Sequence, residues 1–204
     1  MKKSTLETWK KLQKEGYFNK HPLYEMNFGF PHCVDYEHIK DKNVVEIGCG
    51  YGRESVFFNN YVNCMWAIDV TQDILEKAKT NLINSGSSYG TFFVLAENYK
   101  KEIPNNIDYV YALHVFQHLA PEQTKDYIDT MYKKLMVGGR FNAQFYIGTD
   151  KMMDEGKEPR VQYTKKEVLG LFENYKIEKT WLLNKFDAKN NLQYEHMYVI
   201  ARKQ

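Results

Sequence analysis

The chain has 204 residues, 43% of them hydrophobic, which predicts a single domain, residues 1–204, around one core. Its 28 basic and 26 acidic residues leave a net charge of +2, which argues against broad electrostatic binding of nucleic acid. The first residues lack the apolar core of a signal peptide, and no stretch has the apolar length of a membrane span. With three widely spaced cysteines, this predicts a cytoplasmic protein with reduced thiols and no membrane partner.

Residues 1–40 are predicted to form an N-terminal helical cap on a core that spans residues 41–204. A lysine-rich helix comes first, and an irregular aromatic segment follows whose spacing fits neither a helix nor a strand. The aromatic side chains of this N-terminal cap either roof the substrate or only cover the edge of the sheet. The main candidates are Trp9, Tyr17, Tyr24 and Phe28.

Strands and helices are predicted to alternate from residue 43 onward, which indicates a doubly wound, mostly parallel sheet. The predicted strands are 43–47, 64–70, 91–95, 107–113, 140–147, 176–183 and 193–202. The predicted helices are 52–60, 71–84 with Thr71 as N-cap, 121–136 ending near Gly138-Gly139, and one that Thr164 caps and that runs to about residue 174. The last two strands follow each other without a long helix, which predicts an antiparallel hairpin at the C-terminal end.

The strongest motif follows the first strand. An apolar run with one acidic residue, Glu46, leads into Gly48-Cys49-Gly50-Tyr51-Gly52 and then Arg53. A strand that enters a glycine-rich turn and a helix is a typical binding site for a nucleotide-like ligand, because backbone N–H groups at a helix start attract a carboxylate or a phosphate. The dinucleotide fingerprint would need a third glycine at position 53, where this chain has arginine.

A second acidic residue, Asp69, is predicted at the tip of the second strand. It follows Gly52 by 17 positions, close to the spacing of about 20 at which a carboxylate reaches the ribose in dinucleotide-binding folds. Both carboxylate oxygens can accept hydrogen bonds from ribose hydroxyls.

These motifs resemble motif I and the acidic ribose position of the class I S-adenosylmethionine-dependent methyltransferases, which have seven strands with the last one antiparallel. The resemblance covers residues 40–204. It implies that Glu46 lies near the methionine end of the cofactor, assisted by Arg53 and Ser55. The cofactor-binding set that it implies is Glu46, Gly48, Cys49, Gly50, Gly52, Arg53, Asp69, Val70, Ile74, Ala96, Glu97, Asn98 and Leu113.

Adenine recognition departs from the family pattern. Val70 and Ile74 are expected to flank the adenine. Many members have Asp-Ala after the third strand, where this chain has Leu95-Ala96. We therefore expect the adenine amine to be bound by the backbone of Ala96 or by the side chains of Glu97 or Asn98.

Two histidines are the catalytic candidates. Leu113 and His114 are expected beneath the methyl group, and His118 lies four residues further on. Methyl transfer to a hydroxyl needs a base, and either histidine has a suitable pKa range. The H-x-x-x-H spacing is not read as a zinc site, because Val115 replaces the glutamate of H-E-x-x-H. Tyr146 and His196 are weaker candidates.

The predicted function is methyl transfer to a hydroxyl of a small molecule, possibly a sugar or nucleotide-sugar, by a monomer or homodimer. Nucleic acid is not expected as substrate, because the chain has Ala112-Leu113-His114-Val115 where amino-methylating enzymes of nucleic acids have [DNS]-P-P-[YFW]. Three alternatives remain: methylation of an amine, S-adenosylmethionine binding without catalysis, and a nicotinamide-dependent oxidoreductase. The glycine spacing and the lack of a Tyr-x-x-x-Lys pair after the fourth strand argue against the oxidoreductase.

Overall fold

The computed structural model describes residues 3–15, 34, 36–86, 90–149, 161–186 and 192–204. The predictions for Tyr17, Tyr24 and Phe28 lie outside these residues. Within them, no helix is both long enough and apolar enough to cross a lipid bilayer.

The described residues form one seven-stranded sheet in the order β3-β2-β1-β4-β5-β7-β6. Strands β1 to β5 are parallel, and β7 inserts antiparallel between β5 and β6. The strands are β1 (Asn43–Ile47), β2 (Cys64–Asp69), β3 (Thr91–Leu95), β4 (Ile107–Ala112), β5 (Leu135–Ile147), β6 (Lys176–Phe186) and β7 (Leu192–Arg202). The predicted doubly wound sheet with a C-terminal antiparallel hairpin is confirmed.

Helices connect the strands, and an N-terminal helix precedes them. They are α1 (Lys3–Lys14), α2 (Tyr36–Ile39), α3 (Arg53–Phe58), α4 (Gln72–Asn84), α5 (Tyr99–Glu102), α6 (Pro121–Lys134) and α7 (Lys165–Leu171), with a 3₁₀ turn at Phe116–His118. Both predicted threonine caps are confirmed. The Ile74 N–H donates to Thr71 Oγ1 at 3.2 Å, and Thr164 forms a reciprocal capping box with Glu167.

Two hydrophobic layers enclose the sheet. On one face, the strands pack against α5, α6 and α7 through residues such as Ile103, Ile128 and Phe172. On the other face, α2, α3 and α4 contribute Ile39, Phe58 and other apolar side chains. Because parallel strands are covered on both faces, their side chains are apolar nearly throughout, and the few buried polar groups stand out.

The prediction for Gly138-Gly139 was wrong. Helix α6 ends at Lys134, and β5 begins at once at Leu135, so the glycines lie inside the strand. The pairing of β4 with β5 shifts register there, and Gly138 has φ +86°. A Cβ on Gly139 would lie 2.9 Å from the Met136 carbonyl oxygen. The glycines therefore permit a bulge in β5 rather than a helix C-cap.

Candidate functional site

The candidate site lies where the strand order reverses. Strands β1 and β4 are neighbours, although β2 and β3 intervene between them in the chain. The connections leaving β1 and β4 at their carboxyl ends therefore diverge, which opens the crevice in which α/β sheets bind ligands. Residues 48–52 follow β1, and residues 113–115 follow β4.

The glycine loop after β1 is shaped by packing as well as by backbone conformation. Gly48, Gly50 and Gly52 all have positive φ, between 53° and 79°. A Cβ on Gly48 would lie 2.3 Å from Val115 Cγ2, and one on Gly52 would lie 3.2 Å from the Ala78 Cβ. The glycines thus let the loop pack directly on the segment after β4 and on α4.

The loop N–H groups are not directed as the sequence predicted. Gly48 and Cys49 both donate to the Ile68 carbonyl, at 2.8 and 2.9 Å, which continues the pairing of β1 with β2. Gly52 donates to the Cys49 carbonyl, and Gly50 donates to Asp69. Because these four N–H groups have partners within the protein, and α3 has only six residues, the expectation of a backbone N–H cradle is wrong for them.

Asp69 joins the glycine loop to the tip of β2. Its side chain is 9% exposed, and its two oxygens accept from the N–H groups of Gly50 and Val70, both at 2.7 Å. Burial raises the pKa of Asp69, and these two hydrogen bonds oppose that shift. Each carboxylate oxygen keeps a second lone pair, so the group can accept further hydrogen bonds.

Glu46 is a second buried carboxylate, beneath the same loop. It is 3% exposed and accepts a hydrogen bond from the Ser55 hydroxyl. Burial, followed by the nearby Glu54, raises the pKa of Glu46 from 4.5 to about 8. Arg53, which pairs with Glu54, opposes the shift only weakly. A cation placed here would favour the ionised form of Glu46.

Two of the expected cofactor contacts are buried in the protein itself. The Cys49 side chain is 3% exposed and packs with Ala67, Leu75 and Ala78, so only its backbone is placed toward the loop surface. Ile74 is 1% exposed, in the first turn of α4. Val70 is half-buried beside Asp69.

In the segment after β3, the side chains are better candidates for adenine recognition than the first backbone N–H group. The Ala96 N–H donates to the Asp69 carbonyl at 2.8 Å, so it is already engaged. Glu97 is exposed, and Asn98 is half-buried as the residue before α5. Of the groups predicted to recognise adenine, the side chains of Glu97 and Asn98 are the better placed.

His114 adopts a strained backbone at the tip of β4. Its φ of 57° lies in the left-handed region, which costs a residue with a bulky side chain about 1–2 kcal/mol. Its imidazole is half-buried, and the neighbouring Leu113 packs against the core. The next residue, Val115, packs on Gly48, and this packing keeps His114 beside the glycine loop despite the strain.

Gln144 on β5 connects His114 with His196 on β7. The His114 N–H donates to Gln144 Oε1 at 3.0 Å, and Gln144 Nε2 lies 2.7 Å from His196 Nδ1. The His196 ring also packs edge-on against His114 and Tyr146, with centroids 5.6 and 4.4 Å apart. The structure thus joins His114 to His196 through Gln144, which the sequence reasoning missed, and the His196 ring contacts Tyr146. The available signal was the alternation of Asn142, Gln144 and Tyr146 with the apolar side chains of β5.

His118 has different neighbours. It is 8% exposed in the 3₁₀ turn, and its Nε2 atom lies 3.1 Å from Gln117 Nε2. Its ring contacts Trp9 of α1 edge-on, with centroids 4.8 Å apart. Trp9 of the N-terminal helix therefore packs directly on His118.

The described residues contain no cluster of three or more metal-ligating side chains. They do contain a groove of about 700 Å³ between α4 and the outer strands β2 and β3, lined by residues such as Trp66 and Phe92. None of the predicted site residues lines this groove, so it is separate from the candidate site.

The polar groups around the loop fit the ligand that the sequence predicts. S-adenosylmethionine carries an ammonium group, a sulfonium group and two ribose hydroxyls, all of which interact favourably with carboxylates. The loop is flanked by Asp69 and Glu46, both buried, at the tips of neighbouring strands. This set of acceptors suits a cation with hydroxyl donors better than it suits a phosphate.

Comparison with known families supports this assignment. Residues 44–139, just under half of the chain, match the sequence model of a family described as a methyltransferase domain. The matched stretch contains the glycine loop, Asp69 and both catalytic candidates. No protein of curated function matches the chain.

Solved structures share the fold across most of the chain. An S-adenosylmethionine-dependent methyltransferase from Methanosarcina mazei is 14% identical, with a TM-score of 0.67 over 88% of this chain and 98% of its own. TehB from Haemophilus influenzae is 20% identical, with a TM-score of 0.69 over 94% of this chain and 67% of its own. The N-methyltransferase NodS from Bradyrhizobium japonicum, solved with S-adenosyl-L-homocysteine, is 16% identical, with a TM-score of 0.62 over 79% and 78%.

Proposed function

We propose that the chain is a class I S-adenosylmethionine-dependent methyltransferase that transfers a methyl group to a hydroxyl of a small molecule, with His114 as the base. The match of residues 44–139 to a methyltransferase-domain model and the fold shared with solved methyltransferases support this proposal. The observation that carries this proposal is the position of His114. It is held in a strained conformation at the tip of β4, next to the residue that packs on the glycine loop. Residues with strained backbones cluster at active sites and ligand-binding segments.

Asp69 would bind the ribose, and Glu46 would lie toward the methionine end, with Arg53 beside it. The glycine loop would pass along the cofactor, with Val70, Ile74, Glu97 and Asn98 on its adenine side and Leu113 near the methyl group. When bound, S-adenosylmethionine supplies an electrophilic methyl group on a positively charged sulfur. The protein contributes position above all, because this leaving group is neutral and good.

His114 would remove the proton of the acceptor hydroxyl. An imidazole nitrogen of His114 would take the hydroxyl proton as the acceptor oxygen displaces the neutral thioether from the methyl carbon. His114 is favoured over His118 because its side chain is half-exposed, whereas His118 is 8% exposed and packs against Trp9. Sugars and nucleotide-sugars are the first acceptors to test.

The test is a radiolabelled methyl-transfer screen over sugars, nucleotide-sugars, amines and amino acids. We expect label in hydroxyl compounds. With saturating donor, we expect His114→Asn to lower turnover by about 10²-fold or more, the range for a lost general base. His118→Asn is the matched comparison and should keep most of the turnover. Full turnover in His114→Asn would exclude it as the base.

Methylation of an amine is the second candidate. It is favoured by the likeness to NodS, an N-methyltransferase of the same fold. A neutral amine can attack without a strong base, so both histidine substitutions would then have small effects on turnover. Label in amines alone would favour this candidate over the hydroxyl acceptor.

A further inference from the structure

We propose that Gln144 is a positioning residue that holds His196 as the neutral tautomer with its proton on Nε2 and its Nδ1 atom engaged by the Gln144 amide, so that His196 is not the base. The statement about the base rests on the proposed function. The tautomer itself follows from the contacts of Gln144 alone.

The orientation of the Gln144 amide is fixed by the backbone. A peptide N–H can only donate, so the group 3.0 Å from the His114 nitrogen must be the amide oxygen. The amide nitrogen is then the group that faces His196 Nδ1, at 2.7 Å. The usual ambiguity between the oxygen and nitrogen of a glutamine side chain is thereby removed.

The tautomer of His196 follows from this orientation. The amide nitrogen of Gln144 can only donate, so His196 Nδ1 must accept and carries no proton. In the neutral imidazole the proton is then on Nε2. Gln144 is fully buried and His196 is 5% exposed, so water competes poorly for either contact and the arrangement is well determined.

The same amide therefore serves two histidines in different ways. It satisfies the N–H of the strained His114 backbone and fixes the ring of His196, which packs against the His114 and Tyr146 rings. His114 remains the candidate base. His196 cannot share that role, because the lone pair of its Nδ1 atom already accepts from the Gln144 amide.

The test is ¹⁵N NMR of protein labelled at histidine, because the ring nitrogen shifts distinguish the two tautomers. The chain has six histidines, and a His196→Asn variant assigns the signals of His196. In the wild-type protein near neutral pH, we expect His196 to show protonated Nε2 and unprotonated Nδ1. Protonated Nδ1 in the wild type would overturn the proposal, without need of any variant.

Gln144→Glu is the sharper variant. A carboxylate accepts at both oxygens, so it can keep the His114 N–H and also accept from His196 Nδ1–H. We expect the Nδ1 signal of His196 to change to that of a protonated nitrogen. An unchanged His196 spectrum at a pH at which the introduced carboxyl is ionised would contradict the proposal.

Asn142→Leu is the matched control. Asn142 lies two residues away on the same face of β5, is equally buried, and donates to the Tyr109 hydroxyl at 2.9 Å. We expect it to leave the His196 signals unchanged. The NMR signals are recorded without substrate. A failure to find any methyl acceptor would therefore count against the proposed function, and the observed tautomer of His196 would still test the present proposal.

Discussion

Two buried carboxylates are the main structural support for the proposed binding site of the methyl donor. Asp69 and Glu46 lie at the tips of adjacent strands, and both have raised pKa values because burial disfavours their ionised forms. Asp69 accepts from the Gly50 and Val70 N–H groups, and Glu46 accepts from the Ser55 hydroxyl. We propose that both carboxylates also face a ligand with positive charge and hydroxyl donors, which would favour their ionised forms.

For Asp69, we predict that replacement by alanine weakens the binding of S-adenosylmethionine by about 1.5–3 kcal/mol, the usual cost of losing hydrogen bonds to a charged group. The change also leaves the Gly50 and Val70 N–H groups without their acceptor. Titration calorimetry measures the affinity. The control is Asp73→Ala, which removes an exposed carboxylate from the first turn of α4, and equal effects of the two changes would rule out the ribose role.

For Glu46, we predict a distinctive pH dependence of stability. Its pKa is about 8 in the folded protein and 4.5 as the ordinary value, so between these pH values the folded state holds a proton that the unfolded state releases. Stability is therefore lost as the pH rises through this window, by about 1.4 kcal/mol per unit at most.

Glu46→Gln removes this titration and keeps an acceptor for the Ser55 hydroxyl. We expect the variant to gain stability over the wild type steadily from pH 5 to pH 8, measured by urea unfolding. Glu102→Gln, at an exposed carboxylate, is the control and should show no such trend. A constant difference between Glu46→Gln and the wild type across this range would contradict the assigned shift.

At the scale of elements, the glycine loop and the segment after β4 form one packed unit. Gly48 allows this because it has no Cβ to meet Val115. The loop thus helps to fix the position of His114, a role that a motif defined by ligand contact alone does not suggest.

Because of this packing, we predict that replacing Gly48 by alanine lowers the free energy of unfolding more than the same replacement at Gly86. Gly48 and Gly86 have nearly the same φ, 74° and 78°, but a Cβ on Gly86 would have no described atom within 4 Å. We expect Gly86→Ala to cost about 1–2 kcal/mol from backbone strain. Gly48→Ala should cost about 1–3 kcal/mol more because of overpacking. Urea unfolding measures the stability of both variants. Equal losses of stability would contradict this prediction and would mean that Val115 moves aside at little energetic cost.

The sequence predicted the helices and strands well where a local pattern, such as an apolar run or a threonine cap, determines their ends. Apolar runs located β1 to β4 within a residue, and threonine caps located the starts of α4 and α7. Gly138-Gly139 was misread as a helix end, because a bulge in β5 depends on its register with β4. That register is a tertiary property that composition does not reveal.

The candidate site was predictable only in part, because some of its contacts also depend on tertiary structure. The positions of Glu46, Asp69 and His114 follow from their places at strand ends. The hydrogen bonds of the loop N–H groups depend on how β1 pairs with β2, and the contact of Gln144 with His196 joins residues 52 positions apart. Neither can be inferred from local spacing.

At the scale of the whole molecule, the strand order places the glycine loop and the segment that carries His114 side by side at the carboxyl ends of β1 and β4. Strand β4 lies beside β1, so the segment that carries His114 meets the loop that carries the glycines. The hairpin of β6 and β7 then brings His196 to the same edge. One sheet thus holds the proposed donor and acceptor sites side by side.

The most direct test of this account is a thermal unfolding experiment with S-adenosylhomocysteine, S-adenosylmethionine and NADH, on the wild type and on Asp69→Ala. At about 100 times its Kd, a ligand specific for the folded state adds about 2.7 kcal/mol, or roughly 5–10 °C in Tm for a chain of this length. We predict that both S-adenosyl compounds stabilise the wild type, that NADH does not, and that the shift is much smaller in Asp69→Ala. Stabilisation by NADH alone, or an S-adenosyl shift that is unchanged in Asp69→Ala, would contradict the account.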